Sequence, residues 1–305
     1  MKTQINSILI PTDFSKLSES ALKVGIAIAK RQNAEIVLLH VVDSFAYLYP
    51  SEVFLYETRI TPDLKVNMET KLTEVAGKIQ KKSGVKITGK VLEGTPAYKI
   101  CQFAQHESIS LIVMGTHGTS GIRQFFIGSE SFRVIKNATC PVLTIPGNWQ
   151  KTDFEKVLFP IRIKPGALDK YFYARPIIEK NNSEVMLLGL ADKKKKGDLK
   201  EVTLLMEKLK IQLYTDKVLF HAALSPSQDF PATIINTAIE FEADLIILSA
   251  NLDYNFKAYF IGPYAQTVVN HSHLPVLTIK PSTVLKENLS SLELAQNWGE
   301  ITFHY

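Results

Sequence analysis

The stretch that decides the fold of this chain is 110–146, SLIVMGTHGTSGIRQFFIGSESFRVIKNATCPVLTIP. It begins with a short apolar run, Leu111 to Met114, of the kind that a strand buried on both faces shows. A glycine-rich loop follows, and apolar residues at helical spacing predict a helix over 129–137. A second apolar run, Val142 to Ile145, comes directly after Pro141. The segment therefore predicts a strand–loop–helix–strand unit of an α/β protein.

The glycines of this loop have the placement expected of a phosphate-binding site. Gly115 ends the strand that begins at Leu111, Gly118 lies in the loop, and Gly128 with Ser129 begins the helix. A strand that delivers glycines to a helix N-terminus brings backbone N–H groups and the positive end of the helix dipole to one point. Glycine is expected because a Cβ would block both a backbone with positive φ and its close approach to a ligand. The spacing fits neither a Rossmann loop nor a Walker loop.

Written out, the spacing is G-x2-G-x9-G-S, and it resembles the ATP-binding signature of the universal stress protein family, G-x2-G-x9-G-[S/T]. The resemblance extends over the IVMG strand, the GTHG segment and the CPVLTIP strand. It implies a Rossmann-like fold of the adenine nucleotide alpha hydrolase type and a cytoplasmic, ATP-binding protein of the stress response. The candidate nucleotide-binding residues are Pro11, Thr12, Asp13, Val41, Met114, Gly115, Thr116, Gly118, Gly128, Ser129 and Glu130.

Asp13 and Val41 belong to the adenosine end of this expected site. Asp13 lies on the loop between a first strand, 8–10, and a helix that Ser15 can cap, and ligands of doubly wound sheets bind at the carboxyl ends of strands. The resemblance implies that Asp13 contacts the adenosine, as does Val41 through its backbone. From the residues alone, an Asx turn at Asp13 and a buried strand valine at Val41 remain open alternatives.

Strands and helices alternate through the first half of the chain. The predicted elements are strands at 35–42 and 85–93, a helix with Leu64, Met68, Leu72, Val75 and Ile79 on one face, and a helix from Pro96 to about His106. Such alternation predicts a doubly wound, five-stranded parallel sheet with helices on both faces. The aromatic connection 44–61 is left open as a lid, a dimer arm or a segment packed on its own domain.

The second half repeats the first. A shift of 134 residues carries the FFIGSESFRVIKNATCPVLTI segment onto YFIGPYAQTVVNHSHLPVLTI, and a shift of 149 carries Glu35 and its strand onto Glu184. The chain therefore resembles a tandem universal stress protein of two α/β domains, 1–147 and 148–281, with a C-terminal tail, 282–305. We expect the two domains to pair through their last strands, 142–145 and 276–279, which are otherwise unpaired apolar edges.

The two domains differ at the positions that would touch a nucleotide. At the shifts above, Asp13, Gly115, Gly118 and Ser129 become Arg162, Ser249, Leu252 and Pro263. A leucine side chain obstructs the loop, and a proline removes both a hydroxyl and a helix-start N–H group. The sequence therefore predicts that the first domain binds ATP and that the second is degenerate.

The chain lacks the catalytic loops of ATP-using enzymes with this architecture, S-G-G-x-D-S and H-x-G-H. His117 could be a base or a solvated loop residue, and Arg123 could reach phosphate or face water. No Walker-type lysine is present, so Mg2+ is expected to bridge the phosphates.

An ATP-binding regulatory protein is predicted; the alternatives are a slow ATP hydrolase or nucleotidyl-transfer enzyme, and a nucleotide-free interaction module. The H-x-H pair, His271 and His273, reads as a polar helix end rather than a metal site.

Composition limits the classes of partner. The formal net charge of the 305 residues is +5 and 21% are charged, which favours no nucleic-acid partner, and the lysine run 193–196 is typical of a solvated loop. Neither a signal peptide nor a membrane span is expected. Cys101 and Cys140 lack C-x-x-C spacing and are predicted to be reduced core thiols of a cytoplasmic protein. The partners expected are ATP or another adenine nucleotide and the paired domain, with a homodimer left open.

Overall fold

A computed structural model of the protein describes residues 4–42, 62–116, 128–164, 166–250 and 263–280. Within these ranges, strands and helices alternate through two successive halves. The first half contains β1 (Ser7–Pro11), α1 (Lys16–Gln32), β2 (Glu35–Val42), α2 (Pro62–Ser83), β3 (Ile87–Glu93), α3 (Pro96–His106), β4 (Leu111–Gly115), α4 (Ser129–Asn137) and β5 (Val142–Ile145). The second half contains β6 (Lys156–Ile161), α5 (Asp169–Asn181), β7 (Glu184–Asp192), α6 (Asp198–Thr215), β8 (Phe220–Ser227), α7 (Phe230–Glu240), β9 (Leu245–Ser249), α8 (Pro263–His271) and β10 (Val276–Ile279).

The strands form one ten-stranded sheet in the order β3-β2-β1-β4-β5-β10-β9-β6-β7-β8. Neighbouring strands within each half are parallel, and β5 and β10 pair antiparallel where the halves meet. The predicted fold class, two doubly wound five-stranded parallel sheets, is confirmed. The structure adds that the two sheets are continuous through their edges.

Strand register shows that the sequence repeat is also a structural repeat. Ser7 pairs with Glu35 in the first half, and Lys156 pairs with Glu184 in the second, which is the 149-residue shift. The pairing of β4 with β5 recurs between β9 and β10 at the 134-residue shift. The same sequence pattern therefore builds the same strand pairs twice.

Helices cover both faces of the sheet and enclose two apolar cores. Buried side chains of α1, α2, α5 and α6 pack on one face, and those of α3, α4, α7 and α8 pack on the other. Each core contains residues from both halves, so burial is continuous across the junction. Cys101 and Cys140 are free thiols packed against the second core, and burial raises their pKa values to about 11 and about 12.

Helix α1 shows how local sequence builds an element that positions the later site. Ser15 is its N-cap and accepts a hydrogen bond from the Ser18 backbone N–H, as the sequence predicts, and Asn33 ends it in the left-handed conformation. Gly25 allows close packing on the sheet, because a Cβ there would lie 2.4 Å from Ile10 Cδ1. The helix therefore lies tightly over β1 and β4.

The junction between the halves is buried and apolar. Leu143 of β5 pairs with Leu277 of β10, and neither is exposed. The Thr144 hydroxyl donates to the Val276 carbonyl at 3.2 Å across the same junction. The unpaired edges that each half would otherwise present are thereby removed, as the sequence analysis expects for these two strands.

The connection between β5 and β6 is fixed to the second half by Asp244. This buried carboxylate accepts the backbone N–H groups of Glu155 and Lys156 at 3.1 and 3.0 Å, and it pairs with the Lys151 ammonium at 2.6 Å. Helix α1 also holds the connection, since Arg31 donates to the Thr152 carbonyl at 2.7 Å. These bonds attach the connection to both halves.

Several sequence-based expectations concern residues outside the described ranges. They are the connection 44–61, the tail 282–305, His117, Gly118, Arg123 and Leu252. None of the described helices is both long and apolar enough to cross a membrane.

Candidate functional site

The sheet order identifies the point in the first half where a ligand is expected. Strands β1 and β4 are neighbours, yet the chain continues from β1 to β2 and β3 on one side and from β4 to β5 on the other. In doubly wound sheets, ligands bind at the carboxyl ends of strands where the order reverses in this way. These ends are Pro11 and Gly115, two residues of the predicted site.

Thr12 is held firmly at the end of β1. Its backbone N–H donates to the Leu39 carbonyl at 2.8 Å, and its hydroxyl oxygen accepts the Phe14 N–H at 3.1 Å. The same hydroxyl lies 3.1 Å from the Ser18 hydroxyl in helix α1. Thr12 therefore links the loop after β1 to both β2 and α1.

Asp13 is exposed beside Thr12 and forms the turn that the sequence left open. Its Oδ1 accepts the Ser15 backbone N–H at 3.0 Å, so the Asx turn is confirmed. The turn uses one carboxylate oxygen and holds the side chain beside the carboxyl end of β1, at the point where the strand order reverses. A contact between Asp13 and adenosine is compatible with this geometry and stays a prediction.

Phe14 and His40 also support this loop, although sequence reasoning did not select them. Phe14 has φ of 61°, a left-handed conformation that costs a bulky residue roughly 1–3 kcal/mol. Its ring lies 4.9 Å from the His40 ring and has the Lys71 ammonium 4.3 Å above it. His40 Nδ1 is 2.8 Å from the Thr12 carbonyl oxygen. The single sequence signal was a histidine inside an otherwise apolar strand.

Val41 lies where β2 extends beyond β1. The last residue pair between β1 and β2 is Pro11 with Leu39, so β1 has no partner residue opposite Val41. Leu39 directs its carbonyl toward β1, whereas Val42 directs its carbonyl toward β3. Because backbone groups alternate between the two edges of a strand, those of Val41 face the β1 side. This geometry supports the predicted backbone role, while the half-buried Val41 side chain packs against the second core.

Met114, Gly115 and Thr116 form the end of β4. Met114 is buried in the core under α3 and α4. The Thr116 N–H donates to the Ile145 carbonyl at 3.1 Å, and the Thr116 carbonyl accepts the Gly128 N–H at 2.6 Å. Thr116 therefore joins the two ends of the loop 117–127, so Gly128 is held next to β4.

Of the two reasons expected for glycine at Gly115 and Gly128, only one remains. Gly128 has φ of −60° and Gly115 lies in a regular strand, so neither requires a positive φ. That part of the expectation is wrong for these two positions, because the loop is closed by backbone hydrogen bonds between extended residues. The remaining reason is close approach of the backbone to a ligand.

No described residue provides a side-chain cap at the N-terminus of α4. Gly128 occupies the N-cap position, and the backbone N–H groups of Ser129, Glu130 and Ser131 have no acceptor among the described residues. The Ser131 hydroxyl donates to the Gly115 carbonyl at 2.9 Å and fixes the first turn against β4. A glycine N-cap beside a strand end thus leaves three donors and an exposed Ser129 hydroxyl for an anionic ligand.

Glu130 has a role that the sequence did not reveal. Its carboxylate accepts the Ala97 backbone N–H at 2.8 Å and pairs with the Arg133 guanidinium. Thr95, the N-cap residue of α3, makes no side-chain cap, so Glu130 of the neighbouring helix supplies it. The carboxylate is therefore engaged by α3, and only the backbone N–H of Glu130 remains for a ligand.

The corresponding point in the second half carries two cationic side chains. The Arg162 guanidinium carbon lies 5.1 Å from the Phe230 ring centroid. Lys170, at the position of Ala21, is buried, donates to the Pro160 carbonyl, and has its ammonium 4.5 Å from the Phe159 ring centroid. Burial, with a smaller effect from Arg162, lowers the pKa of Lys170 to about 7. Helix α8 begins with Pro263, which has no N–H to offer.

Comparisons with known proteins show which family the chain is similar to. The model of the "Universal stress protein family" matches residues 4–146. Universal stress protein MJ0531 of Methanocaldococcus jannaschii is 41% identical over 138 residues, which is 45% of this chain and 80% of that protein. Universal stress protein YxiE of Bacillus subtilis is 33% identical over 149 residues, 46% of this chain and 98% of that protein. The family match and both sequence relatives therefore each correspond to about one half of the chain.

Similarity of fold extends over both halves. The crystal structure of a universal stress protein from Archaeoglobus fulgidus superposes with a TM-score of 0.72 at 22% identity, covering 92% of this chain and all of that one. A structure of a putative universal stress protein from Pseudomonas aeruginosa gives a TM-score of 0.65 at 15% identity over 94% of this chain.

Proposed function

Because the chain belongs to the universal stress protein family, we propose that its first half binds ATP at the carboxyl ends of β1 and β4. The observation that carries this proposal is the convergence of the loop after Pro11, the end of β4 at Gly115 and the uncapped N-terminus of α4. The second half has the same scaffold, but Arg162 and Pro263 replace Asp13 and Ser129, two of the groups that would receive a nucleotide. Nucleotide binding is thus proposed for one site per chain.

The adenosine end of the nucleotide is assigned to the loop after β1 and to β2. The Asp13 carboxylate is exposed and oriented by its turn, which suits a hydrogen bond from a ribose hydroxyl or a base amino group. Backbone groups of Val41 face the space beyond the end of β1, where an adenine edge can form hydrogen bonds. Thr12 is already bonded to its neighbours and therefore shapes the loop.

The phosphate end is assigned to the first turn of α4. The backbone N–H groups of Ser129, Glu130 and Ser131 supply donors, and the helix dipole supplies about half a unit of positive charge. Gly115 and Gly128 let phosphate approach the backbone without a Cβ. The Glu130 carboxylate is bound by the Ala97 N–H and by Arg133, which reduces its repulsion of a phosphate at the start of α4.

The residues present also fit a Mg2+ ion carried with the nucleotide. Mg2+ keeps several waters and takes one or two protein oxygens together with phosphate oxygens, and the exposed Ser129 hydroxyl is such an oxygen. The ion would neutralise phosphate charge that the helix dipole alone does not balance. Among the described residues, no group of three or more His, Cys, Asp or Glu could hold a metal, so Mg2+ is proposed to depend on the nucleotide.

The proposed role is that of a cytoplasmic regulatory protein in the stress response, in which nucleotide occupancy changes conformation or partner binding. The described site residues bind and orient: backbone donors at α4, a turn carboxylate at Asp13 and the backbone of Val41. The free state of both cysteines suits a reducing compartment.

The experiment is to denature protein purified from cells and to identify the nucleotide that it releases. Release of an adenine nucleotide, with slow or no phosphate production by the native protein, supports the regulatory role. Sustained multiple turnovers would favour a hydrolase on the same fold. Absence of any adenine nucleotide, together with no binding of added ATP, contradicts the proposal.

A further inference from the structure

Strand β8, Phe220–Ser227, forms one outer edge of the ten-stranded sheet and is unusually exposed. Five of its eight residues are exposed, including Ala222, Ala223 and Leu224. Leu219, just before the strand, is 65% exposed. Strand β8 contains no Asp, Glu, Lys or Arg. An apolar edge strand without charge is a template for pairing with another strand.

The opposite edge of the sheet, β3, is protected in the usual ways. Its exposed positions are Thr88, Lys90 and Glu93, so charge lies along this edge. Helix α2 also covers it closely, since a Cβ on Gly89 would lie 3.0 Å from Leu72 Cγ. The two edges occupy equivalent positions in the repeat, but β3 carries charged residues that discourage strand addition, whereas β8 has none of these and carries only Pro226 near its carboxyl end.

The hydrogen bonds of β8 show which backbone groups face outward. The Leu219 carbonyl accepts the Val185 N–H, and the Ser227 carbonyl accepts the Lys193 N–H, so odd-numbered residues face β7. Because backbone groups alternate, Phe220, Ala222 and Leu224 direct theirs away from the sheet. Pro226 is also even-numbered, so its missing N–H costs no bond to β7, as expected at an edge.

We propose that β8 pairs antiparallel with β8 of a second copy of this chain, about a twofold axis at Ala222. In this register, Ala222 lies opposite Ala222 of the second copy, and Phe220 lies opposite Leu224 of the second copy. The outward groups of these residues then form about six backbone hydrogen bonds. The two sheets become one continuous sheet of twenty strands.

Side chains in this register are complementary. Ala222 at the axis is small, which allows the strands to approach, and each Phe220 meets a Leu224 on the same face of the sheet, an apolar cross-strand pair. Lys217 precedes the strand and Asp229 follows it, so an antiparallel pair brings one residue of each charge sign to each end of the interface.

The test is the mass of the full-length chain as a function of concentration, measured by sedimentation equilibrium. The expected result is a rise from 34.2 kDa to twice that value as concentration increases. Ala222→Pro should abolish the rise, because it removes an outward N–H group. The bonds to β7 should stay intact, as they do at Pro226, another outward-facing residue of the same strand. Thr88→Lys, an exposed change on the opposite edge, is the matched control and should leave the dimer unaffected.

Cross-linking tests the register without relying on a destabilising change. Ala222→Cys should give a covalent dimer with a short bis-maleimide, because the two thiols lie beside the axis, whereas Thr88→Cys should not. A mass of 34.2 kDa at all concentrations overturns the proposal and leaves this edge to another chain or to residues 281–305. A dimer that survives Ala222→Pro, or that cross-links equally through Thr88→Cys, also overturns it.

Discussion

At the scale of single residues, Asp13 and Ser129 are assigned to opposite ends of the nucleotide, and this assignment can be tested. Asp13→Ala should weaken ATP, ADP and AMP alike, because all three contain adenosine. Ser129→Ala should weaken ATP and ADP and spare AMP. Loss of a hydrogen bond that involves a charged group costs about 1.5–3 kcal/mol, roughly ten- to a hundredfold in affinity. The measurement is the dissociation constant of each nucleotide with and without Mg2+.

Arg162→Ala is the matched control for Asp13→Ala, since Arg162 occupies the equivalent position of the second half. It should leave all three affinities unchanged. Equal losses for the three nucleotides in Ser129→Ala would show that the phosphates lie elsewhere.

Lys170 provides a prediction about stability at the same scale. Its pKa is about 7 in the folded chain and ordinarily 10.5, so the unfolded chain binds more protons between these values. The free energy of unfolding should therefore rise as the pH increases from about 7 to about 10.5. Below pH 7, Lys170 should contribute no pH dependence. Lys170→Met should remove this rise and stabilise the fold at neutral pH by an amount on the order of 1–4 kcal/mol.

Urea unfolding at about pH 6, 8 and 9.5 measures this effect. Lys180→Met, an exposed change on the same helix, is the control and should follow the original chain. If Lys170→Met kept the same pH dependence as the original chain, the buried ammonium would not be the cause.

Sequence reasoning reached some features around the candidate site and missed others for physical reasons. The position of Gly128 and Ser129 at the start of α4 could be predicted, because a glycine spacing ahead of a helix is a local pattern. His40 and the Glu130 carboxylate act across elements, on the Thr12 carbonyl and on the Ala97 N–H, and no local pattern reveals such contacts. The left-handed Phe14 is likewise set by its surroundings, the His40 ring and the Lys71 ammonium.

At the scale of elements, helix α4 could be predicted to its ends, since Gly128 and the following apolar spacing define it. The third strand begins at Ile87, two residues later than the sequence predicts. Gly84 has φ of 74° and the Val85 N–H bonds to the Ser83 hydroxyl, so the turn extends past Val85. Apolar character alone does not distinguish a buried turn residue from the first residue of a strand.

The pairing of β5 with β10 gives the prediction at this scale. Leu277→Lys would bury an ammonium opposite Leu143, where no side chain is exposed, and should lower the melting temperature by about 10 °C or cause aggregation. Leu204→Lys, at a position on α6 that is 57% exposed, is the control and should change it little. Thermal unfolding followed by circular dichroism measures both. A melting temperature unchanged in Leu277→Lys contradicts the buried junction.

At the scale of the whole molecule, two copies of one pattern form a single sheet with unequal halves. The repeat could be predicted from sequence because the two shifts are constant within each segment, and strand register reproduces them. The greater exposure of β8 than of β3 could not be predicted from the sequence, because it depends on how closely a helix covers each edge. We therefore propose that the first half binds a nucleotide and that the second half does not, because Arg162 and Pro263 stand at the positions of Asp13 and Ser129.

The most direct test of this asymmetry is the number of ATP molecules bound per chain, measured by isothermal titration calorimetry with Mg2+. The account predicts one, and it predicts none for Gly118→Leu or Ser129→Pro, which copy the second half. The proline takes the first helical position, where it is tolerated, so the fold should persist in circular dichroism. Two ATP molecules per chain, or full binding by both variants, would contradict the account.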